Sequence, residues 1–314
     1  MPAGGRPQPD LMSRNAREGE MKIAGHTMGT PERSLPEAID LFARLGLEGI
    51  EAICHDEYRS AIRTDVSAAG LREFRRQAEG QGLTFAAVTP YATDLNSPDP
   101  QVAAVHRALL LRAIEIAHAL GARCVRTYAG REIGGPGRAD RLRRLVEVVR
   151  GPAEVAAKAG VRLGFENHFN TLGDSAKGTV EVVRTVNHPA VGIVYDQGNL
   201  TMLGAEDYRE AIPLQAPYLI HVHVKDLCFK ATPAGTTSGA VEALPADAKP
   251  TISLPVGEGI LPWREIVTEL KRTGYDGWLS IEYERRWYPD LLPPAEIGMK
   301  AGADLVRRIL RELG

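Results

Sequence analysis

RLGFENHFNTLGDSAKGTVEVVRTVNHPAVGIVYDQGN, residues 162–199, reads as strand, helix and strand in one sweep. Leu163 and Phe165 alternate with Gly164 and Glu166, the period-two signature of a strand, and the second run, Gly192–Asp196, also ends on a carboxylate. Between them Thr179–Val186 carries apolar residues at three- and four-residue steps. Parallel neighbours need a crossover, so this order is the building unit of a parallel sheet.

The same unit recurs in both directions. Strands are expected at Lys22–His26, Gly49–Cys54, Thr84–Thr89, Arg123–Tyr128, Arg162–Asn167, Gly192–Asp196, Leu219–Lys225 and Trp278–Tyr283. Helices are expected at Leu35–Leu45, Ala68–Gln81, Gln101–Leu120, Arg138–Ala159, Thr179–Val186, Trp263–Arg272 and Ala301–Leu313, and a short helix must cross Ala205–Pro217 despite Pro213 and Pro217. Gly46, Gly82, Gly121, Gly160 and Gly274 each follow a helical stretch, where a left-handed residue ends a helix. Eight strand–helix units predict a single-domain α/β fold, the (β/α)8 TIM barrel, which needs roughly 250 residues and fits a chain of 314. Residues 1–20 read as a disordered tail, residues 21–314 as the barrel, and about 229–255 as a long loop over its C-terminal mouth.

Lys plus Arg (38) nearly balance Asp plus Glu (40), and a net charge of −2 supplies no field for nucleic acid or an anionic membrane. Three widely spaced cysteines, Cys54, Cys124 and Cys228, fit neither a disulfide framework nor a structural zinc site. No apolar run approaches the ~20 residues of a membrane span, and no signal peptide is visible. The expectation is a cytoplasmic protein with a small-molecule partner, no nucleic acid and no membrane, and exposed loops near 229–255 could serve a homo-oligomer contact.

Strand parity then selects the inward residues. Glu166 and His168 oppose Leu163 and Phe165; Asp196 opposes Ile193 and Tyr195; His221, His223 and Lys225 oppose Ile220, Val222 and Val224; Glu282 and Glu284 oppose Leu279, Ile281 and Tyr283. Adjacent strands stand ~4.8 Å apart, so Glu166, Asp196 and Glu282 would crowd three negative charges together, and a divalent cation resolves the repulsion. The expected ligands are Glu166, Asp196, His223 and Glu282. His223 is preferred to His221 as nearer the rim, and Glu282 to Glu284 as deeper. Three oxygen ligands and one imidazole suit Mn2+ first, with Mg2+, Co2+ and Zn2+ as alternatives.

GFENH (164–168), VGIVYDQGN (191–199), HVHVKD (221–226), PVGEGI (255–260) and YDGWLSIEYE (275–284) resemble the xylose-isomerase-like sugar phosphate isomerase/epimerase superfamily over about residues 22–312. The resemblance implies a metal held by Glu, Asp, His and Glu at the ends of strands five to eight, which falls on the same Glu166, Asp196, His223 and Glu282. It also implies one of several activities: ketose 3-epimerase, aldose–ketose isomerase, inosose or dehydroshikimate dehydratase, or DNA-repair endonuclease. The last needs more metal ligands than Asp-Gln-Gly-Asn provides at strand six, and a basic DNA-facing surface.

The leading expectation is an isomerase or epimerase acting on a keto sugar or polyol by proton transfer beside a carbonyl. Glu166 and Glu282 would be the catalytic carboxylates, and His168, His221 and Lys225 would bind substrate. A lyase dehydrating a keto-cyclitol is the alternative, followed by a non-catalytic sugar-binding barrel. Glu258, His26, Tyr91 and Arg126 are further candidates for the mouth and its wall. No Gly-rich phosphate cradle is evident, which favours an unphosphorylated substrate.

Overall fold

The computed structural model describes residues 20–132, 137–204, 206–230 and 251–314. The expected tail and most of the expected 229–255 loop lie outside the described residues. Within them the strands are β1 (Lys22–His26), β2 (Gly49–Cys54), β3 (Thr84–Pro90), β4 (Cys124–Thr127), β5 (Arg162–Glu166), β6 (Val191–Asp196), β7 (Leu219–Val224), β8 (Asp226–Phe229), β9 (Thr251–Leu254) and β10 (Trp278–Ile281). The helices are α1 (Leu35–Arg44), α2 (Ala68–Gly80), α3 (Pro100–Leu120), α4 (Arg138–Ala159), α5 (Ala176–Val186), α6 (Gln197–Gly204), α7 (Tyr208–Gln215), α8 (Trp263–Arg272) and α9 (Gly298–Leu313).

Eight parallel strands close into a barrel in the order β1-β10-β7-β6-β5-β4-β3-β2. Closure follows from local chemistry that stops and turns each element on time. Ser34 and Glu37 form a reciprocal capping box at the start of α1, and the five expected glycine stops all adopt positive φ. Outward residues of the strands, among them Leu163, Phe165, Ile193, Tyr195, Val222, Val224, Leu279 and Ile281, form with the helices one continuous apolar core. Each such buried side chain contributes about 1.5–3 kcal/mol over leaving it exposed.

Two expectations are corrected. The segment expected as loop after strand seven begins and ends in regular structure, because β8 and β9 pair antiparallel, from Asp226 against Leu254 to Phe229 against Thr251. The pairing gives the backbone at both ends of the segment its hydrogen bonds. Ile220, expected on the helix-facing side of β7, points into the barrel. The β6–β7 register shifts, pairing Ile193 with Leu219 but Val194 with His221, and the extra residue of such a bulge breaks strict alternation. Ile220 therefore packs on the barrel floor with Ala87, Cys124 and Val194. The crossing at Ala205–Pro217 contains α7, which tolerates Pro213 because Tyr208, Ala211, Ile212 and Gln215 bury one face and Asp207 caps its start.

Gly164 and Gly192 make room for that floor. A Cβ at Gly192 would lie 2.6 Å from Ile220 Cγ2 and 2.7 Å from the Tyr218 carbonyl oxygen. Since the backbone there cannot yield cheaply, Gly192→Ala is expected to lower unfolding free energy by about 1–3 kcal/mol, read by urea denaturation.

Candidate metal centre

The site forms where β5, β6, β7 and β10 end. Glu166, Asp196, His223 and Glu282 each present one donor atom, and these four atoms all lie within 4.8 Å of one another. All four residues are buried. His223 Nδ1 is the hub, 3.0 Å from Glu166 Oε1, 3.6 Å from Glu282 Oε1 and 3.7 Å from Asp196 Oδ2. Asp196 also accepts the Asn199 backbone amide on Oδ1, so the first turn of α6 fixes the carboxylate's orientation. Asn199 Nδ2 ties Asp196 Oδ2 (3.2 Å) to the Asn167 carbonyl (2.8 Å).

Two cations flank the cluster. Arg126 Nη2 lies 2.5 Å from Glu166 Oε2, and Lys225 Nζ stands 2.9 Å from both Asp196 Oδ2 and Glu282 Oε2. Burial pushes the Glu166 carboxyl up, but Arg126 and His223 outweigh it and hold it well below the usual carboxylate range. Glu282 is likewise raised by burial and lowered further by Lys225 and His223, to about 2. His223 is driven down by burial but well up by Glu51 and Glu282. The donor set, oxygen-rich with one imidazole, fits a divalent cation, and the net negative charge of the four groups favours one.

The other expected residues distribute differently. Lys225 is in the mouth, between the carboxylates. His168 is half-buried at the rim, edge-on to Tyr128 at 4.7 Å and stacked on Phe169 at 4.2 Å. His221 is not brought to the mouth: it lies one pleat below His223, fully buried, with Nε2 2.8 Å from Glu51 Oε2. A substrate-binding role for it does not fit that depth. Glu284 sits higher, hydrogen-bonded by Ser253 of β9 and 3.6 Å from Lys225 Nζ, and Glu258 is exposed. The wall opposite the carboxylates is aromatic: the Arg126 guanidinium lies 3.9 Å from the Tyr128 ring centre, and Tyr91 and Tyr58 continue the line.

Two further residues, Glu51 and Asp226, shape the site without a strand-end signal of their own in the sequence. Glu51 sits in an apolar run of β2 that offered no strand-end signal, and only its position inside the barrel shows it beside His221 and His223. Asp226 accepts the backbone amides of Leu227 (2.9 Å), Gly257 (2.9 Å) and Leu261 (3.1 Å), so the last residue of HVHVKD clamps the PVGEGI turn. The co-occurrence of those two segments was its one visible trace.

Residues 39–309 match the family model described as xylose isomerase-like TIM barrel. The chain belongs to this family. Among curated relatives, the rhizopine catabolism protein MocC of Rhizobium meliloti is 29% identical over 42% of this chain and 40% of its own length. An inosose dehydratase of Geobacillus thermodenitrificans is 23% identical over 54% and 53%. The chain thus spans about half the length of these relatives. Among solved structures, D-psicose 3-epimerase with D-tagatose from Clostridium cellulolyticum aligns over 92% of this chain and 99% of its own at TM-score 0.71 and 19% identity. A xylose isomerase-like barrel protein from Mycobacterium smegmatis, in complex with magnesium, aligns over 92% and 96% at TM-score 0.70 and 19% identity. At such identities the structural likeness establishes the shared fold. Members of the family include both epimerases and dehydratases, so membership alone does not set the reaction.

The charge balance makes Arg126 testable without substrate. Arg126→Met would remove the cation at Glu166 Oε2 and leave His223 as the buried carboxylate's remaining charged partner, with an expected loss of about 1–3 kcal/mol in the metal-free protein, measured by denaturation in EDTA. The lowered Glu166 pKa contributes stability above its ordinary value of 4.5 that is lost as pH falls through the folded-state value. The variant should therefore lose stability less steeply than wild type on acidification below that pH.

Proposed function

We propose that the protein is a metal-dependent isomerase or epimerase of a keto sugar or related polyol, moving a proton at a carbon beside a carbonyl. The observation that carries this reading is the placement of Glu166 and Glu282. They stand on the outer strands of the four-strand arc β5-β6-β7-β10, each turning one oxygen toward the cluster and offering the other to its own cation. Two carboxylates on opposite flanks suit removal of a proton from one side of a bound substrate and return from the other.

Glu166, Asp196, His223 and Glu282 would hold one divalent ion, Mn2+ by preference, with Mg2+, Co2+ or Zn2+ also matching the donors. Such an ion supplies Lewis-acid stabilisation of the negative charge that develops on substrate oxygen. Glu166, kept ionised by Arg126, takes the proton. Glu282 returns one, with the Lys225 ammonium 2.9 Å away as its nearest proton source. His168 and the aromatic wall of Tyr91 and Tyr128 face the substrate, the rings offering flat apolar surface to carbon-bound hydrogens. The magnesium in the mycobacterial structure and the epimerase chemistry of the Clostridium protein support this reading.

A second reading, a lyase that removes water from a keto-cyclitol, is favoured by the inosose dehydratases among the relatives. The same carboxylate pair would serve it, with Glu282 protonating a leaving hydroxyl.

Two measurements check these readings. Stripping with EDTA is expected to abolish turnover of a ketose panel and Mn2+ to restore it, while Glu166→Gln and Glu282→Gln each lower kcat by about 10²–10⁴-fold. Full activity in EDTA, or normal turnover by either variant, would refute the metal-dependent two-carboxylate chemistry. In D2O an epimerase yields product of substrate composition carrying one carbon-bound deuterium, whereas a lyase yields product lighter by one water.

A further inference from the structure

We propose that Glu51 is the positioning residue of the centre, fixing which ring nitrogen of His223 faces the carboxylate cluster. The inference rests on the metal-binding reading above and adds to it a residue from the far side of the barrel. Glu51 projects inward from β2, which is separated from β7 by β1 and β10, and its carboxylate is completely buried. Four side chains from three strands, β1, β3 and β7, converge on it. Thr89 of β3 donates its hydroxyl to Oε1 at 2.6 Å, His223 Nε2 lies 3.1 Å from Oε1, and His221 Nε2 lies 2.8 Å from Oε2. His26 at the end of β1 accepts the Met28 amide on Nδ1, so its Nε2 carries hydrogen, and that atom faces Glu51 Oε1 at 3.6 Å.

An ionised carboxylate only accepts, so every ring nitrogen turned toward Glu51 must carry a hydrogen. For His223 this assigns the hydrogen to Nε2. Nδ1, the atom at the centre of the Glu166, Asp196 and Glu282 oxygens, is then the nitrogen whose lone pair is free for a cation. The opposite neutral tautomer would put a hydrogen into the cluster and set a lone pair against a buried carboxylate. Thr89 and His221 hold Glu51 from two further directions, which fixes the carboxylate against His223 Nε2. Partners of this kind orient a ligating histidine and raise its basicity, and their loss typically costs 10–100-fold in metal affinity.

A purely structural Glu51, balancing buried imidazoles to brace β2 against β7, would set the melting temperature but leave metal affinity alone. The test compares the full chain with Glu51→Gln, each stripped and titrated with Mn2+ against a competing chelator, with thermal melting of the stripped proteins alongside. Glu51→Gln is expected to bind Mn2+ about 10–100-fold more weakly while still folded. In Co2+-loaded wild type the paramagnetically shifted, exchangeable His223 N–H proton should be visible by NMR, and in Glu51→Gln it should be lost to exchange. A folded Glu51→Gln with wild-type Mn2+ affinity overturns the proposal while leaving the metal centre standing. Wild type that binds no divalent ion overturns both. If Glu51→Gln does not fold, Thr89→Val decides, since it keeps the carboxylate but removes its shortest restraint: weakened Mn2+ binding supports the role and unchanged binding overturns it.

Discussion

Three carboxylates held within a few ångströms of one imidazole, all out of contact with water, dominate the energetics of this barrel. An isolated buried carboxylate is too costly to remain ionised, so each must be matched by positive charge and by donors. The protein supplies that balance in layers. Arg126 answers Glu166, Lys225 answers Asp196 and Glu282, and His223 answers whatever remains. Below them Glu51 repeats the arrangement with its sign reversed, one carboxylate amid three imidazoles. The interior is thus two stacked electrostatic cages sharing His223.

The scaffold makes this arrangement affordable. Outward strand residues and the helices build a continuous apolar core that ties every strand end in place, while the inner face is left to polar groups above and a small apolar floor below. Rigidity at the rim comes from backbone amides rather than from side-chain packing. The first turn of α6 seizes Asp196, and Asp226 gathers the PVGEGI turn beside β8. A site built on strand ends and restrained by main-chain donors keeps its geometry without substrate, the precondition for placing two carboxylates on opposite flanks of a small molecule.

The sequence by itself determined the elements and the rim. Period-two alternation, helical spacing and the glycine stops reproduced eight barrel strands to within one or two residues, because these signals are local and the outward face of each strand must be apolar. Parity brought Glu166, Asp196, His223 and Glu282 to one face because each lies within one residue of its own strand's end, on the side opposite the apolar residues. Only the tertiary structure decided what lies across the axis. The β7 bulge that turns Ile220 inward is a property of pairing between two strands, and neither strand's pattern encodes it. Glu51 meets His221 and His223 over 170 and 172 residues of chain, and Arg126 meets Glu166 across neighbouring strands. Such contacts exist only once the sheet has closed, since the reach of a side chain across a barrel depends on strand order and shear and leaves no period in the sequence.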